Sequence, residues 1–162
     1  MKQLFLIRHA KSSWDFPKLA DADRPLNDRG KRNAAKMGKR LAQRQVKPDL
    51  ILSSSARRAL ATAKLIAKEL DYPKSNIVVQ DRLYAASTDE LLGVIRKIND
   101  KVDCALLFGH NPELTELAHQ LSSEITQMPT CAVAAFTFSV KSWSDVGKAR
   151  PDAVEFDYPK NS

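Results

Sequence analysis

Two histidines and three arginines of this chain have side chains suited to the chemistry of a phosphoryl group. Arg8 and His9 are adjacent, Arg57 and Arg58 follow further along, and His110 lies in the second half of the sequence. A guanidinium group binds two phosphate oxygens at once. A neutral imidazole can attack phosphorus and hold the group covalently, which divides a difficult reaction into two easier steps. These residue types therefore predict a phosphoryl-binding site with a nucleophilic histidine.

Each of these residues follows a short apolar run, of the kind typical of strands buried on both faces. The runs are residues 4–7, 50–52 and 104–108. In open α/β sheets, ligands bind beyond the carboxyl ends of the strands, and in a parallel sheet these ends share one edge. We therefore expect both imidazoles and at least two guanidinium groups to meet at that edge.

Strands and helices alternate four times along the chain. Helices are predicted from Asn27 or Asp28 to about residue 45 and over residues 56–70, 87–98 and 111–121. Residues 87–90 have the spacing of a capping box, and Asn111 is predicted as the N-cap of the last of these helices. A further strand is predicted at 77–79. Residues 132–140 and 153–158 predict an antiparallel pair of strands. The pattern predicts an α/β fold, a three-layer α/β/α sandwich with a mostly parallel central sheet and an antiparallel C-terminal strand pair. The length of 162 residues favours a single domain over 1–162.

Residues 12–28 have no sustained helical or strand period. The segment contains two prolines and four aspartates, among them Asp15 and Asp21. Such a long connection, placed directly after the reactive residues, is predicted to form a wall or lid of the site.

Composition excludes several classes of protein. Hydrophobic content of 43% and charged content of 28% are those of a globular chain rather than a disordered one. No run approaches the ~18 apolar residues of a membrane span, so no membrane association is predicted. Cys104 and Cys131 lack a metal-binding spacing and are expected to be small core residues in a reducing compartment, so we predict a cytoplasmic protein.

The net charge of +7 favours anionic partners. No nucleic-acid-binding motif accompanies this charge, so a nucleic-acid partner is not predicted. Six basic residues of the first predicted helix are explained at least as well by a solvated helix face as by a docking surface: Lys31, Arg32, Lys36, Lys39, Arg40 and Arg44.

Three segments resemble the motifs of the histidine phosphatase superfamily. Residues 6–10 (Leu-Ile-Arg-His-Ala) resemble its Arg-His-Gly signature, and residues 108–112 (Phe-Gly-His-Asn-Pro) resemble its third motif. In residues 54–62 a serine is followed four residues later by Arg-Ala and then by Thr, which resembles the second motif. The compact length and residues 24–30 are most similar to the SixA-type phosphohistidine phosphatase branch.

The resemblance implies a role for each matching residue. His9 would be the nucleophile that becomes phosphorylated, and Arg8, Arg58 and His110 would bind the phosphoryl oxygens. Arg58 is preferred to Arg57 because it directly precedes the Ala of the motif. No metal and no other cofactor is implied.

Lys11 is a candidate substrate-binding residue because it follows the reactive pair by two positions. It is equally well interpreted as a solvated loop lysine. His119, the third histidine, is interpreted as a solvated or hydrogen-bonded helix residue.

The sequence departs from the family pattern at three places. Ala10 replaces the usual glycine, and Asp15 stands where mutase-like members often have a phosphate-binding asparagine. Residues 83–86 lack the glutamate that those members use as a general acid. An imidazole leaves phosphorus more easily than an alkoxide does, so a phosphohistidine substrate tolerates the missing acid.

The sequence thus predicts a metal-independent phosphatase with a phospho-His9 intermediate, acting on phosphohistidine in a protein. One alternative is a phosphatase of small phosphate esters, or a mutase, of the same superfamily. A second alternative is a non-catalytic phosphate-binding or interaction module.

Overall fold

The structure is a computed structural model that describes residues 1–161 of the chain. It contains six strands in one sheet: β1 (Lys2–Arg8), β2 (Leu50–Ser54), β3 (Val78–Gln80), β4 (Cys104–Gly109), β5 (Val133–Phe138) and β6 (Ala153–Asp157). The α-helices of the described residues are α1 (Asp28–Gln43), α2 (Arg57–Glu69), α3 (Thr88–Arg96) and α4 (Glu113–Leu121).

The sheet has the strand order β3-β2-β4-β1-β5-β6. Strands β1 to β4 are mutually parallel where they pair, whereas β5 runs antiparallel to β1 and β6 antiparallel to β5. The mostly parallel sheet and the antiparallel C-terminal pair confirm the predicted α/β class.

Helices cover both faces of this sheet. Alternate residues of a strand point to opposite faces, so β1 contributes Phe5 to one core and Leu6 to the other. The core that contains Phe5 packs against α1 and α2, and the core that contains Leu6 packs against α3 and α4. The predicted three-layer sandwich is therefore confirmed, while the assignment of 1–162 to one domain stays a prediction.

Two helix starts match their sequence signals and one does not. The Asn27 side chain accepts a hydrogen bond from the Gly30 amide (2.7 Å) at the start of α1, and a capping box at Ser87 begins α3. The N-cap of α4 is Pro112 rather than the predicted Asn111. The Asn111 side chain accepts instead from the amide of Thr115, four residues ahead.

The segment 12–28 is held by specific contacts. Ser12 bridges to Leu26, and the Arg24 guanidinium donates to the Ser12 hydroxyl and to the Ser13 carbonyl. A short 3-10 helix, Asp21–Asp23, lies within it. This packing gives the segment a defined path along the sheet edge.

Cys104 and Cys131 are both buried, as predicted for core residues. Within residues 1–161, no helix has the length and apolar character needed to cross a membrane.

Candidate active site

The carboxyl ends of β1, β2 and β4 meet at one edge of the sheet. Arg8, the last residue of β1, pairs in register with Gly109, the last residue of β4. The His9 amide donates to the Gly109 carbonyl (3.2 Å), and the rings of His9 and His110 lie 5.2 Å apart between centroids. The structure thus brings together the two histidines that the sequence places about a hundred residues apart.

The His9 imidazole is buried, with 8% of the residue exposed. Its Nδ1–H donates to the Ala10 carbonyl oxygen at 2.7 Å, because a carbonyl oxygen only accepts. Nε2 therefore keeps its lone pair. Burial lowers the pKa of His9 to about 3, and the positive charges of nearby groups act in the same direction. His9 is therefore a neutral imidazole at pH 7, and Nε2 is its ring nitrogen with a free lone pair.

His110 is fixed by the end of β2. Its Nε2 lies 2.7 Å from the Ser54 hydroxyl oxygen, while its buried Nδ1 has no hydrogen-bond partner among the described residues. When the Ser54 hydroxyl donates to Nε2, Nδ1 carries the hydrogen and is free to donate to a bound group. Burial, followed by the charge of Arg58, lowers the pKa of His110 to about 4.

Arg8 also has an unpartnered donor. Its Nη1 donates to the Met128 carbonyl (3.0 Å), whereas its buried Nε has no partner within residues 1–161. Burial lowers the pKa of Arg8 below its usual value. Buried polar groups are almost always hydrogen-bonded, so an unpartnered donor at a site favours an acceptor supplied by a ligand.

The Arg58 guanidinium is held by Asp21 of the segment 12–28. Nη1 donates to the Asp21 carbonyl (2.7 Å) and Nη2 to its carboxylate (2.9 Å), and Arg58 is only 8% exposed. Arg57, by contrast, points to solvent. The segment thus forms a wall of the site through an acidic side chain that contacts a predicted phosphate-binding arginine.

Tyr84 also binds the Asp21 carboxylate. Its hydroxyl donates to the Asp21 carboxylate at 2.6 Å, and its ring lies edge-on to His110 with centroids 5.6 Å apart. The hydrogen bond from Tyr84, aided by Arg58, lowers the pKa of Asp21 to about 2. The carboxylate is therefore ionised throughout the neutral range.

A threonine connects the first two sequence motifs. The Thr62 hydroxyl donates to the Arg58 carbonyl (2.8 Å) and accepts from the Ala10 amide (2.9 Å). Ala10 itself is completely buried, so a small side chain is required where the family pattern has glycine.

The other candidate residues of the sequence analysis are exposed. Lys11 is exposed and lines a separate basic cavity, and Asp15 is also exposed. His119 is exposed and its Nδ1 donates to the Ile125 carbonyl (2.8 Å), as expected for a hydrogen-bonded helix residue. A larger cleft of 620 Å³ adjoins Arg8 and is lined in part by Asn111.

Sequence reasoning missed Asp21 and Tyr84 as parts of the site. Both lie outside the three motifs. Their one sequence signal is position: Asp21 lies in the segment 12–28, predicted to form a wall or lid of the site, and Tyr84 lies in residues 83–86, where mutase-like members have a general acid. No three or more His, Cys, Asp or Glu residues within 1–161 are placed together as a metal site would require.

Residues 4–103 match the model of the histidine phosphatase superfamily (branch 1). An uncharacterised chloroplastic protein of Arabidopsis thaliana is 32% identical over 152 residues, which cover 89% of this chain and 70% of that protein. An uncharacterised protein of Mycobacterium tuberculosis (strain ATCC 25618 / H37Rv) is 32% identical over 165 residues, which cover 95% of this chain and 100% of that protein. A 2,3-bisphosphoglycerate-dependent phosphoglycerate mutase of Arthrobacter sp. (strain FB24) is 35% identical over 71 residues, which cover 43% of this chain and 29% of that protein.

Two solved structures are similar over nearly the whole chain. The SixA-type protein of Agrobacterium tumefaciens, described as a candidate phosphohistidine phosphatase, has a TM-score of 0.78 and 26% identity, with 96% of this chain and 94% of that chain covered. The protein histidine phosphatase SixA complexed with tungstate has a TM-score of 0.80 and 24% identity, with 98% of each chain covered.

Proposed function

Because the chain belongs to the histidine phosphatase superfamily, we propose that it is a phosphatase that forms a phosphohistidine at His9 and acts on phosphohistidine in a protein. The observation that carries this proposal is the state of His9. Its Nδ1–H is committed to the Ala10 carbonyl, and its buried ring is neutral, so Nε2 has a lone pair for attack on phosphorus.

In the first step, His9 Nε2 attacks the phosphorus atom of the substrate. A P–N bond forms to His9 while the bond from phosphorus to the leaving imidazole breaks, and solvent supplies the proton that the leaving group takes up. Arg8 Nε and His110 Nδ1 donate to the phosphoryl oxygens, where charge develops in the transition state. Arg58 joins them when its guanidinium exchanges Asp21 for phosphoryl oxygens.

In the second step, water attacks the phosphorus of phospho-His9. The P–N bond to His9 breaks, the hydroxyl group of the water joins phosphorus as inorganic phosphate leaves, and the remaining proton passes to the phosphate or to solvent. His9 returns to its neutral form because burial disfavours the imidazolium ion. The proposed chemistry needs no metal ion.

The preference for phosphohistidine rests on Asp21 and Tyr84, neither of which has a proton free for a leaving group. Tyr84 occupies the region where a glutamate is expected, and its hydroxyl donates to Asp21. Asp21, with its pKa at about 2, has no proton to give at neutral pH. A substrate that leaves as an imidazole needs less protonation than an alkoxide does. The SixA structures described above, which share this fold, have names that point to the same substrate class.

The experiment compares wild type, His9→Ala and His119→Ala in the presence of a chelator. The substrates are a histidine-phosphorylated protein, an aryl phosphate and a phosphoglycerate. We expect turnover of the phosphohistidine protein by wild type and His119→Ala, and a loss of at least about a thousandfold in His9→Ala. Undiminished activity of His9→Ala would overturn the nucleophile assignment.

A small-molecule phosphatase or mutase is the second candidate. It is favoured by the match of part of the chain to a phosphoglycerate mutase. Faster turnover of the ester substrates than of the phosphohistidine protein would establish this candidate instead. Phosphate binding with no turnover of any substrate would indicate a non-catalytic module.

A further inference from the structure

A small cavity beside the active site has a strongly basic lining. It has a volume of 210 Å³, and Lys11, Arg29 and Lys160 contribute to its wall together with the polar residues Asn33 and Thr130. No Asp or Glu belongs to this lining. Three cations around one cavity repel one another, so the arrangement is most favourable when an anion lies between them.

The three cations come from different parts of the fold. Lys11 follows β1, Arg29 lies in the first turn of α1, and Lys160 follows β6. None of them forms an ion pair with an Asp or Glu of residues 1–161. The helix dipole disfavours a cation at the position of Arg29, so helix stability does not explain this arginine.

Backbone contacts of Lys11 link the cavity to the chain segment that carries His9. The Lys11 carbonyl accepts from the Asn27 amide (3.0 Å), and Gly30 packs directly on the Lys11 backbone. Lys11 is two residues from His9, so the same short segment fixes both positions. Pro129 lines this cavity and also the larger cleft beside Arg8, so the two spaces are neighbours.

We propose that the cavity formed by Lys11, Arg29 and Lys160 binds a second acidic group of the substrate while His9 receives the phosphoryl group. The proposal rests on the proposed function, and it narrows the substrate class to molecules with an additional carboxylate or phosphate near the phosphoryl group. In a phosphohistidine protein this group is an acidic side chain close to the phosphohistidine. Asn33 and Thr130 supply neutral polar contacts for the same anion.

The turnover test uses matched pairs of substrates. One pair consists of phosphohistidine peptides with Glu or Gln at each of the three positions on either side of the phosphohistidine. The other pair is 1,6-hexanediol bisphosphate and hexyl phosphate. We expect kcat/KM to be at least about threefold higher for the more acidic member of one pair, as for a small number of exposed ion pairs. A preference in the peptide pair identifies a protein substrate, and one confined to the bisphosphate identifies a small molecule.

The variant Arg29→Gln/Lys160→Gln removes two of the cations. We expect the ratio of kcat/KM for the more acidic substrate to kcat/KM for its partner to fall towards one in this variant. The same ratio should stay as in wild type in Arg32→Gln/Lys39→Gln. The control removes the same charge from exposed positions of α1 outside the cavity. A preference that survives in the first variant, or that is absent from wild type in both pairs, would overturn the proposed subsite.

Direct binding of inorganic phosphate gives a readout that does not need turnover. We expect the backbone amide signals of Asn33 and Thr130 to shift on titration of wild type with phosphate, and to stay unchanged in Arg29→Gln/Lys160→Gln. These shifts in a protein that hydrolyses no substrate would overturn the proposed function but keep the anion site. Turnover of phosphohistidine without these shifts would support the proposed function but overturn the anion site.

Discussion

A neutral histidine among positive groups is the chemical centre of this molecule. Removal from water disfavours the imidazolium ion of His9, and the guanidinium groups of Arg8 and Arg58 add to this effect. The same positive groups that are proposed to bind a phosphoryl group therefore keep the proposed nucleophile unprotonated. The hydrogen bond from Nδ1 to the Ala10 carbonyl leaves Nε2 as the ring nitrogen with a free lone pair.

The depressed pKa values of the two histidines predict a pH dependence of stability. The pKa is about 3 for His9 and about 4 for His110, against about 6.5 in an unfolded chain. Between pH 6.5 and 4 the unfolded state thus binds protons that the folded state does not. The free energy of unfolding should fall as the pH is lowered through this window, by at most about 1.4 kcal/mol per pH unit for each histidine.

Urea unfolding at pH 7, 6 and 5 measures this slope. The His9→Asn/His110→Asn variant lacks both groups and should show a shallower decrease, because the remaining carboxylates contribute equally in the two proteins. Equal slopes for the variant and wild type would contradict the buried neutral state of these imidazoles.

Asp21 places a negative charge on an arginine that is proposed to bind phosphate. Its carboxylate must leave Arg58, or tolerate a nearby phosphoryl group, before that arginine can bind the substrate. Asp21→Asn keeps one side-chain oxygen that can accept from Arg58 and Tyr84, as Oδ2 of Asp21 does, but removes the charge. We expect inorganic phosphate to bind this variant about 3- to 10-fold more tightly than wild type, as weaker charge repulsion implies.

Titration calorimetry with inorganic phosphate checks this expectation, with Asp15→Asn as the control because Asp15 is an exposed carboxylate of the same segment. Weaker phosphate binding by Asp21→Asn would show that Asp21 orients Arg58 productively rather than competing for it.

At the scale of secondary-structure elements, the strand ends determine the site. The apolar runs of β1, β2 and β4 could be recognised in the sequence because strands buried on both faces need apolar residues throughout. The parallel arrangement then places Arg8, His9 and His110 at one edge without further information.

The contacts of the segment 12–28 could not be predicted in this way. Asp21 reaches Arg58 because Arg24 ties the segment to Ser12 and Ser13, which is a tertiary arrangement with no periodic signal in the sequence. The start of α4 was misplaced for a similar reason. The Asn111 side chain accepts from the Thr115 amide, one position beyond the residues that an N-cap side chain normally satisfies.

Gly30 lies where α1 packs against the segment that follows β1, and its substitution tests this contact. A Cβ atom at this position would lie 2.1 Å from the Lys11 carbonyl oxygen, so α1 could not approach the segment after β1. We expect Gly30→Ala to lower the free energy of unfolding by about 2 kcal/mol or more. Gly93→Ala is the matched control, since a Cβ at Gly93 in α3 meets nothing within 4 Å, and it should be neutral or stabilising by up to about 1 kcal/mol.

Chemical denaturation of the two alanine variants measures these changes. Equal stability of Gly30→Ala and wild type would mean that α1 and the segment after β1 are not in close contact.

At the scale of the whole molecule, the central sheet separates two cores, and both cysteines lie in the core against α1 and α2. Burial raises the pKa of Cys104 and of Cys131 to about 12. Neither thiol is therefore available as a thiolate at neutral pH. We expect both to resist a thiol reagent in the folded protein and to react rapidly in denaturant, followed by absorbance. Rapid reaction of either thiol under native conditions would contradict this packing.

The central claim is that His9 Nε2 attacks phosphorus, and the phosphorylated enzyme tests it most directly. A rapid-quench reaction of wild type with a histidine-phosphorylated protein is stopped at alkaline pH, and the site of phosphate is identified by peptide mass spectrometry and phosphorus NMR. The account predicts a transient phosphohistidine on His9 with phosphate on Nε2, absent from His9→Ala and present in His119→Ala. Phosphate on Nδ1, or on His110, would contradict it.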